Sequence, residues 1–130
     1  MFNLKIVTIE KVVVDEPVDE LIVTTEEGQT GILPNHAPLL AVMVPGLIRF
    51  RGKDKEVRLV ATSGSIEVDK NNVTVLVDEA LSVGEVDLDK ARSEQERILN
   101  ILKSPGLSLI ELREARKELA NVRARLEAKK

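Results

Sequence analysis

The side chains that could perform chemistry are few, and their spacing does not suit catalysis. His36 is the only histidine, and the chain has no cysteine, which excludes disulfides, thiolate catalysis and most structural zinc sites. A general base needs a nucleophile or an orienting partner, but Ser63, Ser65 and Asp19 show no catalytic spacing to His36. A metal site would need more ligands than one histidine. We therefore interpret His36 either as a structural residue of its loop or as a contact for a partner.

His36 lies in residues 31–40, an apolar run that also contains Pro34 and Pro38. Each proline fixes φ and removes a backbone donor, so neither a helix nor a central strand can cross this segment. Residues 35–37, between the two prolines, are therefore expected to form a rigid loop that is accessible to a partner.

Two glycine-containing motifs are interpreted as structural. Residues 63–65 are Ser-Gly-Ser, but a hydrolase nucleophile elbow needs glycine on both sides of the serine and a following helix. We predict a bulge or tight strand junction there. Residues 28–31 are Gly-Gln-Thr-Gly, which cannot cradle a phosphate because no helix N-terminus follows. We predict a turn leading into a strand.

Length and composition indicate one modest core, or a small domain with an appendage, among 130 residues. Hydrophobic residues make up 43%, no apolar run is long enough to span a membrane, and the first residues do not resemble a signal peptide. The net charge of −3 and the presence of only two aromatic residues, Phe2 and Phe50, argue against nucleic-acid binding. Any partner surface must then use aliphatic and polar contacts.

The chain divides near residue 86 into two parts with different patterns. Six of the seven glycines and four of the five prolines precede residue 87, together with 8 basic and 14 acidic residues, a net of −6. Short β-branched runs there alternate with turn residues, which indicates an all-β sandwich of about ten short antiparallel strands in residues 1–86. The strands are predicted near residues 3–9, 11–15, 19–25, 29–33, 39–44, 47–51, 55–61, 65–69, 72–77 and 79–82. No helix is expected before residue 86.

Residues 87–130 carry 11 basic and 8 acidic residues, a net of +3, and are predicted to form an antiparallel two-helix hairpin. Apolar and small residues recur there at spacings of three and four, the pattern of a helical stripe. Residues 104–106, Ser-Pro-Gly, separate the helices, and Ser108 with Glu111 can form a capping box. Several stripe positions are Ala or Gln, so the hairpin buries little apolar area and can detach. The predicted stripes are Leu88, Ala91, Gln95, Ile98 and Leu102, then Leu112, Ala115, Leu119, Val122 and Leu126.

Four segments together closely resemble the epsilon subunit of rotary ATP synthases. They are GILPNHAPLL at residues 31–40, ATSGSIEV at 61–68, NVTVL at 72–76 and LDKARS at 88–93, so the similarity extends over essentially the whole chain. The resemblance implies a non-catalytic central-stalk subunit that couples ion-driven rotation to ATP synthesis. It also implies that the hairpin is compact when synthesis is permitted and extends into the catalytic head to oppose hydrolysis.

The resemblance also implies partners and a location. The partners are the gamma subunit, the c-ring and the catalytic beta and alpha subunits, with membrane association only through the complex. The expected location is peripheral, at the cytoplasmic face of the bacterial plasma membrane, with the stromal face of the thylakoid as the alternative. The family's gamma-facing loop corresponds to Asn35, His36 and Ala37, and its polar contact for the c-ring to Gln29. The candidates for contact with acidic segments of beta are Arg113, Arg116, Lys117, Arg123 and Arg125.

Residues 88–93 are similar to the motif with which some bacterial epsilon subunits bind regulatory ATP, although Ser93 replaces its final alanine. In that interpretation Arg92 holds an anion and Asp89 hydrogen-bonds a base or ribose edge, with Arg97 and Arg123 as further cations. The alternative is structural, because an acid in the first turn complements the helix dipole and pairs with Arg92 at i, i+3. No cofactor is required, and hydrolysis is not expected because there is no Walker-type loop.

Two other functions remain open on the residues alone. The main alternative is a free-standing protein-binding module that uses the proline loop, residues 34–38. An enzyme is the more distant one, because only carboxylate or serine chemistry is available and no constellation is visible.

Overall fold

Ten strands are followed by two helices in the computed structural model, which describes residues 1–129. All ten predicted strands are present. The strands are β1 (Phe2–Val7), β2 (Val12–Val18), β3 (Glu20–Thr25), β4 (Gly28–Ile32), β5 (Leu39–Met43), β6 (Gly46–Arg51), β7 (Glu56–Ala61), β8 (Gly64–Asp69), β9 (Asn72–Val77) and β10 (Ala80–Ser82). The helices are α1 (Leu88–Leu102) and α2 (Leu109–Ala128).

The strands form a sandwich of two layers. The pairing order is β10, β7, β6, β3, β5, β8, β9, β1, β2, with β4 on the other edge of β3. Strands β3 and β5 pair only at Thr25 and Met43, so this point joins the layer containing β3, β4, β6, β7 and β10 to the layer containing the other five. The first is called layer one below, and the second layer two. Their inner faces share one core, which includes Leu4, Leu21, Ile48, Phe50 and Ile66.

One strand pair departs from the expected antiparallel pattern. β1 runs parallel to β9, with Leu4 opposite Val73, whereas every other pair among residues 1–129 is antiparallel. Parallel neighbours need a long connection, and the seven strands between β1 and β9 provide it. Strand β2 also continues past its predicted end through Pro17, which an edge strand tolerates because it has a free side.

The start of the helical region differs slightly from the prediction. Residues Val83–Glu85 form a short 3₁₀ helix before residue 86, where no helix was expected. Helix α1 is capped by Asp87, whose side chain accepts a hydrogen bond from the Lys90 amide at 3.1 Å. The predicted capping box of α2 is confirmed: the amide of Glu111 donates to the Ser108 hydroxyl, and the amide of Ser108 donates to the Glu111 carboxylate.

Three separate apolar clusters give the molecule its organisation. The first is the sandwich core, and the second holds the hairpin together through Ala91, Ile98, Ala115, Leu119 and Val122. The third is small and lies between α2 and the outer face of layer one. It consists of buried Val60, Val86 and Ala128, with half-buried Leu47, Leu81, Val83 and Ala124 around them.

The hairpin therefore packs on the outer surface of the sandwich and contributes no residue to the sandwich core. The division into domains at residues 1–86 and 87–130 stays a prediction, and Lys130 lies outside the described residues. None of the helices in residues 1–129 is long and apolar enough to cross a membrane.

Candidate functional site: the partner-facing surfaces

The proline loop is a turn with a defined geometry. The amide of His36 donates to the carbonyl of Leu33 at 3.2 Å, which closes a four-residue turn with Pro34 and Asn35 at its centre. Asn35 has φ 65°, a left-handed conformation that asparagine tolerates better than most residues. Asn35 and Ala37 are exposed, and His36 is half-buried.

Asn71 anchors this loop to the sandwich. The amide of Asn35 donates to Asn71 Oδ1 at 2.6 Å, and Asn71 Nδ2 donates back to Asn35 Oδ1 at 3.0 Å. Asn71 belongs to the β8–β9 turn, where it and Lys70 both have positive φ, and its carbonyl accepts from the Asn3 amide at 2.9 Å. The loop is therefore held in one position relative to three strands.

The ring of His36 contacts its own loop. Its Nδ1 hydrogen-bonds the neighbouring Ala37 carbonyl at 2.8 Å, and residues 1–129 contain no cluster of three potential metal ligands. This contact favours the loop-structuring interpretation of the ring.

Gln29 is exposed at the opposite end of β4 from the proline loop. Gln29 and the end of β4 that leads into the proline loop are about 10 Å apart along the strand, since three residue steps separate positions 29 and 32. The predicted turn at residues 28–31 is wrong, because these residues lie in β4 and the turn is at Glu26 and Glu27. The buried hydroxyl of Thr25 fixes this turn: it donates to the Gly28 carbonyl at 3.0 Å and accepts from the Glu27 amide at 3.2 Å.

An exposed aliphatic surface was missed by the sequence analysis. On the outer face of layer two, Leu40 is 76% exposed, Val42 is 56% exposed and Leu76 is 50% exposed. Val42 and Leu76 are aligned across Ser65 in three neighbouring strands. We call Leu40, Val42 and Leu76 the aliphatic face.

The aliphatic face is on the opposite side of the sandwich from the hairpin, which covers layer one. The sequence did contain a signal for it. Residues 39–43 are apolar at both alternating sets of positions, so one set had to face outward from the sandwich.

The four predicted nucleotide-binding residues are all exposed on the hairpin. Arg92 pairs with Asp89 at 3.6 Å, with Asp89 98% exposed, and Arg97 pairs with Glu118 at 3.4 Å. Neither the cavity of about 530 Å³ beside β10 nor the cavity of about 370 Å³ beside β8 and β9 is lined by these residues or by exposed Arg123. The contact between Asp89 and Arg92 is the i, i+3 pair of the structural alternative.

The five basic residues of α2 fall into two groups. Arg113, Arg116 and Arg123 are exposed. Lys117 approaches Asp78 of the sandwich at 4.0 Å, and Arg125 contacts both Glu79 and Glu94 at 3.6 Å. The hairpin conformation seen here thus engages two of the five cations.

Comparison with known proteins identifies the family. Residues 1–98 match the family model of the ATP synthase delta/epsilon chain β-sandwich domain. The chain is 37% identical to the chloroplastic ATP synthase epsilon chain of Cyanidioschyzon merolae, over 97% of this chain and 95% of that one. It is 36% identical to the ATP synthase epsilon chain of Gloeobacter violaceus, with the same coverage of both chains. This chain belongs to the ATP synthase epsilon family.

Solved structures share the fold. A chain in the mitochondrial ATP synthase of Euglena gracilis, in a structure containing OSCP, F1 and the c-ring, superposes with a TM-score of 0.84 at 23% identity. That match covers 96% of this chain and 78% of the other. A chain in the central stalk and c-ring structure of Tetrahymena thermophila mitochondrial ATP synthase gives 0.71 at 18% identity, over 98% and 96%.

Membership of the epsilon family answers two questions left open by the residues. The chain is a non-catalytic subunit of the central stalk. Because it matches epsilon relatives over nearly its full length, we interpret it as a subunit of that complex and not as a free-standing binding module. The family match ends at residue 98, inside α1, and so does not mark the boundary predicted at residue 86.

Proposed function

We propose that this epsilon-family subunit seats its sandwich on gamma and the c-ring, couples ion-driven rotation to ATP synthesis, and opposes ATP hydrolysis through a movable hairpin. The observation that carries the proposal is the separation of the apolar clusters. The hairpin has its own core, and its apolar contact with the sandwich is confined to the third cluster, so it can leave without exposing the sandwich interior.

The aliphatic face, extended by the proline loop, is our proposed seat for gamma. It is exposed on the side that the hairpin leaves uncovered, with Leu40 and Val42 on β5 and Leu76 two strands away on β9, and large aliphatic side chains exposed on one face commonly mark a protein contact. Gln29 and the β3–β4 turn are the proposed c-ring contact, since they project from a different end of β4.

The proposed inhibitory contact is between the cations of α2 and acidic segments of the catalytic beta subunits, with alpha close by in the same head. Arg113 and Arg116 are already exposed in the docked hairpin and can make the first contact. Long-range attraction between such surfaces accelerates encounter and is weakened by salt.

An ATPase assay of the reconstituted catalytic complex tests the inhibitory proposal. Arg113→Ala with Arg116→Ala should relieve inhibition, whereas Lys53→Ala with Arg58→Ala, which removes two exposed cations from the sandwich, should not. Equal ATPase activity with parent and α2 variant would contradict the proposal.

Regulatory ATP binding is proposed as a second role of α1. The exposure of Asp89 and Arg92 supports it, because both can meet a nucleotide without unfolding the helix. Calorimetry of the full chain should show saturable ATP binding that Arg92→Ala abolishes, while Arg58→Ala, which removes an exposed arginine from β7 of the sandwich, retains it. The absence of any heat of binding at millimolar ATP would contradict this proposed role.

The proposed location follows from the proposed partners. A chain attached through gamma and the c-ring would lie peripherally at an energy-coupling membrane. The bacterial cytoplasmic face is our first choice and the thylakoid stromal face the alternative, since the named relatives include Gloeobacter violaceus and chloroplastic chains. Separating the membranes of the source cell and probing for the chain with and without chaotropic washing would test it.

A further inference from the structure

The contact between α2 and layer one has little apolar area. Helix α2 contributes only two alanines, Ala124 and Ala128, to the cluster that contains Val60 and Leu47 of the sandwich. Alanine buries far less area than leucine, so the apolar part of docking is weak. A cavity of about 530 Å³ also lies at this junction, and Asn121 Oδ1 is buried there without a hydrogen-bond partner in residues 1–129.

Charged groups supply the rest of the contact. Lys117 Nζ is 4.0 Å from Asp78 Oδ2, and Arg125 Nη2 is 3.6 Å from Glu79 Oε2. The other end of the Arg125 guanidinium contacts Glu94 of α1 at 3.6 Å, so this one side chain joins both helices to the sandwich. Its side chain is 29% exposed, which makes it the least exposed of the cations in these pairs.

The backbone of Glu79, one of the two sandwich acids, is anchored to Thr62. The Thr62 amide donates to the Glu79 carbonyl at 3.1 Å, and the Glu79 amide donates to the Thr62 hydroxyl at 3.0 Å. Thr62 is buried, so the connection from β9 to β10, which carries Asp78 and Glu79, is attached to the sandwich at Glu79.

We propose that Asp78 and Glu79 form a salt-sensitive acidic latch that holds the hairpin docked by engaging Lys117 and Arg125. These are two of the cations assigned above to an acidic partner, so the latch occupies the sites that the partner would use. An acidic partner and the latch then compete for Lys117 and Arg125. Raised ionic strength favours release of the hairpin, because salt screens the attraction within both ion pairs of the latch. The competition rests on the proposed inhibitory function, whereas the latch itself is a property of the chain alone.

The latch is tested on the full chain by distance measurement. The chain has no cysteine, so Lys53→Cys on the sandwich and Lys103→Cys near the tip of the hairpin provide two unique spin-label sites. Asp78→Asn with Glu79→Gln should lower the ratio of docked to undocked molecules by about two- to fivefold per ion pair. The Glu79 substitution keeps the backbone hydrogen bonds to Thr62.

A matched control removes the same charge elsewhere. Glu26→Gln with Glu27→Gln changes two exposed carboxylates of the β3–β4 turn and should leave the distance distribution unchanged. Roughly 1 M salt should move the parent toward the undocked distances and affect the latch variant less.

A stronger perturbation covers the case of a parent that is almost wholly docked. Asp78→Lys with Glu79→Lys should populate the undocked distances, and adding Lys117→Glu should restore part of the docking while leaving the pair of Arg125 with Glu94 intact. An unchanged distribution after charge reversal, or an equal shift in the control, would overturn the latch. If the latch behaves as expected but Arg113 and Arg116 variants still inhibit fully, only the proposed inhibitory contact is lost.

Discussion

Single residues determine whether neighbouring strands can pair closely, and Gly64 of β8 is the clearest case. A Cβ placed on Gly64 would collide with the backbone carbonyl of Leu76 on β9. The backbone cannot yield there without disturbing the β8–β9 ladder, in which Gly64 faces Val77.

Gly64→Ala should therefore lower the free energy of unfolding by about 1–3 kcal/mol, as overpacking does. Gly31→Ala is the matched control, because nothing lies within 4 Å of a Cβ there. Urea denaturation of both variants measures the difference. Equal midpoints for the two would show that the collision is relieved cheaply.

Asn35 combines a left-handed backbone with a side-chain hydrogen bond, and two substitutions separate these effects. Asn35→Gly keeps the φ of 65° accessible and loses only the bond to Asn71. Asn35→Ala loses the bond and adds strain of about 1–2 kcal/mol. Thermal unfolding should rank parent, glycine variant and alanine variant in falling stability. An alanine variant as stable as the glycine variant would contradict the strain.

At this scale the sequence predicted local geometry well and distant contacts poorly. The positive φ of Asn71 fits its place between the strands predicted near residues 65–69 and 72–77, because a tight turn there favours asparagine. The bond of Asn71 to Asn35, 36 residues away, was not predictable, since only the packing of the loop against the β8–β9 turn brings the two amides together.

At the scale of elements, the aliphatic face makes the most direct prediction about assembly. Leu40→Ser with Val42→Ser should preserve the fold, because both side chains already face solvent. Binding to purified gamma should weaken by about tenfold or more if those side chains become buried in the complex.

The matched control lies on the hairpin. Leu109→Ser with Ile110→Ser removes two equally exposed aliphatic side chains, 62% and 69% exposed, and should leave the affinity for gamma unchanged. Binding titrations of both double variants decide the matter. Loss of affinity in the hairpin variant alone would move the proposed gamma contact to the other end of the molecule.

The elements were largely predictable because their periodicities differ. Alternation in residues 72–77 and the three-and-four spacing after residue 87 both appear in the structure as strand and helices. The parallel pairing of β1 with β9 was not predictable, because periodicity defines a strand and not its neighbour. The aliphatic face of layer two was not predictable for a similar reason. Strand β5 is apolar on both sides, and its sequence does not indicate which side is buried in the core and which is exposed.

At the scale of the whole molecule, opposite charges divide the chain where its cores divide. The first 86 residues carry a net of −6 and the remainder +3, and the cations of α2 face carboxylates of the sandwich. Composition predicted this separation. The identity of the contacting pairs required the structure, since docking brings Arg125 to Glu79 across 46 positions.

The central claim is that the hairpin must leave the sandwich to oppose hydrolysis, and a reversible lock tests it most directly. Val60→Cys with Ala128→Cys places two thiols in the third cluster, in a chain that otherwise has none. Single-cysteine variants control for the substitutions themselves. ATPase activity of the reconstituted complex should be high when the disulfide locks the hairpin down, and should fall when a reductant releases it. Equal inhibition in the locked and reduced states would contradict the account.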